Sequence, residues 1–178
     1  LPDLELDPSE QQMKIGNKTP AKVSSTVTFE KPSGKVSFTV HALPLGFEEK
    51  VYEWLPFPRA KKKWVEKKGE IALDKNGVPL SEEDTNDPVF QARYKKVVML
   101  HGVAFVYEAL RGDKEVSFTT PFPDRPDEKG VMEAFYTAIM AEMNEANITA
   151  GDFRQLISTV RSISLDKTKL FEEAREGF

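Results

Sequence analysis

The stretch from Asn86 to Gly112 constrains the fold more than any other part of this 178-residue chain. Asn86 and Asp87 stand before Pro88, and proline suits the first helical position because its missing amide leaves nothing unpaired there. Val89, Phe90, Tyr94, Val97, Val98, His101, Ala104, Phe105 and Leu110 then recur at helical spacing. Gly112 is expected to cap the C-terminal end. At about 1.5 Å per residue such a helix spans on the order of 36 Å, enough to serve as the spine of a small domain.

The flanking segments supply what packs on that spine. Val23 to Glu30 and Lys35 to Ala42 alternate polar and apolar residues around Lys31-Pro32-Ser33-Gly34, which predicts a β-hairpin with Val36, Phe38 and Val40 on one face. A lone hairpin is only marginally stable, so another element must cover it. Phe47, Val51, Trp54 and Leu55 predict a short helix that Pro56-Phe57-Pro58 stops. Glu115 to Pro121 alternates again and is expected to add a third strand to the hairpin. Pro126-Asp127 is expected to start a helix carrying Val131, Phe135, Ile139 and Met143. Thr149-Ala-Gly-Asp152 has the spacing of a capping box, with aspartate in place of glutamate. It opens a helix with Phe153, Leu156, Ile157, Val160 and Ile163 on one side. A last short helix capped by Asp166 would carry Leu170, Phe171 and Phe178.

The expected class is therefore α+β and helix-dominant, with a small antiparallel sheet (hairpin plus one strand) packed on the long helix and the C-terminal helices. Residues 23–178 form one domain, and residues 56–87 leave it as an excursion or arm. In that arm Asn76-Gly77 favours a tight turn between short strands. Residues 1–22 are expected to be a flexible leader. Asp3, Glu5, Asp7 and Glu10 within it carry a charge of −4, the formal net charge of the whole chain. Met13 has the look of a start site, so the leader is an added segment, a processed fragment or genuine upstream coding sequence.

Composition narrows the chemistry. The chain has no cysteine, which excludes disulfides, thiolate metal sites and thiol nucleophiles, and its two histidines exclude multi-histidine metal centres. His41 and His101 have no acid at close spacing, and a structural role is the simpler reading for both. No phosphate loop, dinucleotide fingerprint, nucleophile elbow or zinc-protease helix occurs. The carboxylates sit at helix starts and in polar loops, as capping and solvation require. A non-enzymatic protein without cofactor or metal is expected. No apolar run reaches the length of a membrane helix, and the N-terminus lacks the pattern of a signal peptide, so a cytoplasmic location is expected. Arg111-Gly112-Asp113 matches an adhesion tripeptide, but helix end, cap and turn account for it.

Two segments are candidate binding sites. Arg59, Lys61, Lys62, Lys63, Lys67 and Lys68 crowd around Trp64, a combination that follows a phosphate backbone and stacks a base in polyanion-binding proteins. Bases and acids are nearly balanced overall, 25 against 29, which argues against a general nucleic-acid or membrane-surface binder. Phe90 to Phe105 and Phe153 to Ile163 read most simply as core, whereas the aromatic-rich arm and the C-terminal Phe171 and Phe178 exceed what a small core needs and mark a partner surface.

The order of features resembles a known family. His41-Ala-Leu-Pro-Leu-Gly-Phe-Glu-Glu49 leads to the proline-bounded basic residues. Asn86-Asp-Pro-Val-Phe-Gln-Ala-Arg-Tyr94 opens the long helix, and Glu108-Ala-Leu110 and Glu115-Val-Ser-Phe118 follow. Gly151-Asp-Phe-Arg-Gln-Leu-Ile157 through Leu170-Phe-Glu-Glu-Ala-Arg175 completes the pattern. Over residues 23–178 this is similar to the tail assembly chaperones of long-tailed bacteriophages. The basic Trp64 arm has no counterpart in that resemblance. The resemblance implies a virion-assembly factor in the host cytoplasm that keeps the helical tape measure protein soluble and gathers tail tube subunits around it. On that reading the long helix and the C-terminal helices form the partner surface, with Phe90, Tyr94, Phe171 and Phe178 as outward partner-binding anchors; a homo-oligomer is a separate expectation. The competing expectations are a structural component of the phage particle and a nucleic-acid-associated accessory protein working through residues 59–68.

Overall fold

The computed structural model describes residues 23–176, with side chains described through residue 164. The leader expected over residues 1–22 lies outside that range.

The hairpin forms as β1 (Ser24–Lys31) and β2 (Gly34–His41), antiparallel with Val27 opposite Phe38 and Phe29 opposite Val36. Alternation turns Val27, Phe29 and Val40 inward, where all three are buried. Helix α1 (Phe47–Trp54) follows and buries Phe47 and Val51. Helix α2 (Pro88–Leu110) is the expected spine. The Asp87 carboxylate accepts from the amides of Val89 and Phe90, satisfying two of the donors a helix start leaves free. Helices α3 (Val131–Glu145) and α4 (Ala150–Glu176) complete the domain.

α2 touches α1, α3, α4 and β2, and α4 touches both hairpin strands, so the core sits around the second half of α2. There Leu100 to Tyr107, Ala109 and Leu110 are buried, without regard to which face they occupy. An apolar stripe on one side gives way to burial on every side, as expected of a helix enclosed by neighbours. Gly102 permits the closest approach: a Cβ there would lie 2.8 Å from Cδ1 of Ile157 on α4. The first half of α2 is different. From Pro88 to Met99 no residue is buried, and this half projects past the core together with the arm.

The α3–α4 joint follows from local chemistry. Asn147 takes a left-handed φ of 58°, its amide donates to Asn144 (3.0 Å) and the Ile148 amide donates to Met143 (3.0 Å). That pair of bonds is a Schellman ending with asparagine in the usual glycine place. The capping box comes next: Asp152 accepts from the Thr149 amide (2.7 Å), and the Thr149 hydroxyl accepts from the Asp152 amide (3.3 Å).

Several expectations need correction. Residues 115–121 pair with no strand; Val116 and Phe118 still pack on the core, held from an irregular segment by Thr119 and Thr120 amides donating to the Glu142 carboxylate. α3 starts at Val131 rather than at Pro126, because Gly130 at φ 83° breaks the chain direction just before it. The break expected at Asp166 is absent, since α4 runs through to Glu176 as one helix. Gly112 is not a left-handed cap. It makes room for the ring of His41, whose Cδ2 would lie 2.9 Å from a Cβ at that position.

The arm of residues 56–87 is built from two short ladders and a bridge. Strand β3 (Lys62–Trp64) pairs with β6 (Ser81–Glu83), β4 (Glu66–Lys67) pairs with β5 (Glu70–Ile71), and Leu73 bridges to Pro79. They meet at a ring of three backbone bonds. Val65 donates to Leu80 (2.9 Å), Leu80 to Ala72 (2.8 Å), and Ala72 to Val65 (2.8 Å). Ala72, at this junction, is the arm's buried apolar residue.

Candidate protein-binding surface

An aromatic strip runs along the junction of the arm and the projecting half of α2. Phe90 neighbours Tyr94 (5.9 Å between ring centroids), Tyr94 stacks on Phe57 (5.5 Å, 26°), and Phe57 neighbours Tyr52 (5.6 Å). Beneath them lies His101, edge-on to Phe57 (4.7 Å) and close to Tyr52 (4.9 Å). Its Nε2 donates to the Leu55 carbonyl at 2.7 Å, on the residue immediately before Pro56. Burial lowers the His101 pKa, so the ring sits as a neutral donor that ties the α1 exit to the spine. The Tyr52 hydroxyl donates to Glu48, and this bond is the main reason its pKa is pushed up to about 12.

Phe57 and Tyr94 are 44% and 41% exposed, although each packs on a ring. The wider distribution is uneven. Apart from Val36, Leu45 and Phe122, every strongly exposed large apolar side chain of the described residues lies between Tyr52 and Met99. Val89, Val98 and Met99 extend the surface along α2, and Trp64, Ile71, Leu73, Val78 and Leu80 extend it over the arm. Monomers rarely leave so much apolar surface in one region without a partner. Beside the strip opens a cleft of about 720 Å³, lined among others by Trp54, Leu55, Pro58, Val97 and Arg93 and crossed by the Lys96–Glu133 ion pair at 2.6 Å.

Of the expected anchors, the structure brings Phe90 and Tyr94 together on this strip. Phe171 falls on α4 beyond the described side chains, and Phe178 lies outside the described residues. Sequence reasoning missed Phe57 and Tyr52. Phe57 stood between two prolines that were read only as a helix stop, yet an aromatic side chain held in that extended segment was itself a signal.

The basic segment is exposed but not uniformly cationic. Lys62 and Lys63 on β3 face Glu83 and Glu82 on β6, and Lys63 contacts Asp84 at 3.2 Å and Glu82 at 3.5 Å. Hydrogen bonding to Asp84 is the chief cause of the raised pKa of Lys63. Arg59, Lys61, Lys67 and Lys68 are exposed around them, and residues 59–87 carry seven bases and seven acids. Trp64 is 56% exposed and makes no ring contact with the aromatic strip.

The remaining motifs resolve into structure. His41 is held against Gly112, and Arg111 pairs with Glu108 at 3.3 Å. Asp113 accepts from the amides of Thr39 and Glu115, which ties β2 to the end of α2. Among the described residues no group of three or more His, Cys, Asp or Glu could hold a metal ion, and no helix is long and apolar enough to cross a membrane. Comparison of the chain with protein-family models, curated proteins and solved structures finds no match.

Proposed function

We propose that the protein is a non-enzymatic assembly factor of the kind its sequence resembles, a tail assembly chaperone that holds a tape measure protein soluble and recruits tail tube subunits in the host cytoplasm. The observation that carries this reading is the concentration of exposed apolar side chains between Tyr52 and Met99, next to an open cleft. A long amphipathic helix aggregates until something covers its apolar face, and a groove edged by aromatic side chains covers it reversibly. Shallow contacts spread over Phe57, Tyr94 and Val98 suit a partner that must later be surrendered to tube subunits. The balanced charge of the arm favours a protein partner over a phosphate backbone, whose binding rests on net positive charge.

Co-expression with the tape measure protein of the same source tests the reading. Replacing Phe90, Tyr94, Phe171 and Phe178 by serine is expected to abolish solubilisation while the melting temperature holds. Undiminished solubilisation removes the site assignment. A pull-down that loses its captured material after nuclease treatment moves the function to Arg59, the neighbouring lysines and Trp64.

A further inference from the structure

The ladder of β3 and β6 has two free edges of opposite character. In an antiparallel pair, successive residues alternately bond across the ladder and turn their amide and carbonyl outward. The bonds from Asp84 to Lys61 (2.7 Å) and from Val65 to Leu80 (2.9 Å) set the phase. With Lys63 opposite Glu82, the inward positions are Lys61, Lys63 and Val65 on one side and Leu80, Glu82 and Asp84 on the other. Lys62 and Trp64 therefore direct their backbone groups away from β6. Ser81 and the Glu83 amide direct theirs away from β3, the Glu83 carbonyl already accepting from the Thr85 amide (3.0 Å). All four residues are exposed, and among the described residues neither outer edge pairs with another strand.

We propose that a second copy of this chain adds its β6 edge to the free β3 edge, so that the arms associate head to tail. Charge selects this pairing over the two symmetric ones. Joining two β6 edges sets Glu82 against Glu82 of the second copy, and joining two β3 edges sets Lys63 against its own counterpart. Like charges directly opposite each other destabilise a ladder. The mixed pairing instead places Lys62 beside Glu83 and Trp64 beside Ser81 of the second copy, repeating the register each arm already has internally. Every Lys62 then lies between two glutamates, and Trp64, on the same face, gains cover. A heterologous contact of this kind leaves one free edge at each end, so growth continues by addition. Three residues per edge make each junction weak, and association is concentration-dependent. The inference goes beyond the assembly-factor reading and does not rest on it, because it concerns the purified chain alone.

Sedimentation velocity on the full chain tests it, over a wide concentration range at low and high salt. The average mass is expected to rise above the 20.1 kDa of one chain with concentration and to fall back with salt. Lys62→Pro and Ser81→Pro each remove an outward amide while leaving the inner ladder intact, as edge proline does. Each variant alone is expected to stay monomeric. Mixed together, they retain one complementary pair of edges and are expected to form dimers that grow no further. A wild-type chain that remains monomeric throughout overturns the proposal. So does a Ser81→Pro variant that still self-associates, which would mean β3 pairs with β3, or a mixture that forms no dimer.

Discussion

Lys31 at the end of β1 and Asp152 in the first turn of α4 form an ion pair across 121 residues of chain. Lys31 also donates to the Asn147 carbonyl at 2.8 Å, and the same Asp152 carboxylate accepts from the Thr149 amide and hydroxyl. One carboxylate thus closes the capping box and fastens the hairpin to the helix that covers it. The Lys31 bond is the largest reason that the Asp152 carboxyl is held below its ordinary range. Asp152→Ala is expected to cost about 1–3 kcal/mol by urea unfolding, because cap and tie are lost together. Lys31→Met removes the tie alone and is expected to cost less. The double variant is expected to cost less than the sum of the two, since both share one contact.

His101 makes stability depend on pH. Its folded-state pKa is lowered from the ordinary 6.5 by burial, so the unfolded chain takes up the proton first as pH falls. The full contribution is present above about pH 6.5 and is lost as pH drops from there through the lowered folded value. Unfolding midpoints measured between pH 8 and pH 5 are expected to fall over that window. In His101→Gln the decline over the same window is expected to flatten. An unchanged profile would assign the dependence to other groups.

Gly112 is held small by a neighbour rather than by its backbone angle. A methyl group there would meet the His41 ring at 2.9 and 3.1 Å, and a ring packed at the end of β2 has little freedom to withdraw. Gly112→Ala is expected to destabilise by about 1–3 kcal/mol, as overpacking does. His41→Ala in the same background is expected to restore much of the loss, read from thermal melts.

The projecting half of α2 should tolerate what the buried half does not. Val89→Ser and Val98→Ser remove strongly exposed side chains and are expected to shift stability by no more than about 0.5 kcal/mol. Val103→Ser and Val106→Ser, in the enclosed half, are expected to cost several times as much, since each buries a hydroxyl and opens a cavity. Equal costs along the helix would place the first half in a core.

Much of this architecture was legible because its causes are local. The Asp87-Pro88 start, the Pro32-Ser33 hairpin turn, the Thr149–Asp152 box and the helix stop at Pro56 each depend on a few neighbouring residues and their hydrogen bonds. The α+β class followed from their order. The strand expected over residues 115–121 failed because alternation marks a half-buried extended segment, and only a neighbouring edge makes such a segment a strand. Glu142 took those amides instead.

By itself, the sequence determined the hairpin, the long helix and most other elements, with their periodicities and several start and stop signals, and the lack of any cysteine chemistry. Those follow from side-chain shape and backbone chemistry within about one helical turn. The tertiary structure decided which half of α2 is enclosed, that Phe57 joins Tyr94 on a common surface, and that Lys62 and Lys63 of the arm face glutamates across a ladder. Each of these is a contact between residues distant along the chain. Periodicity reports which face of an element is apolar, and the packing of other elements decides whether anything covers it.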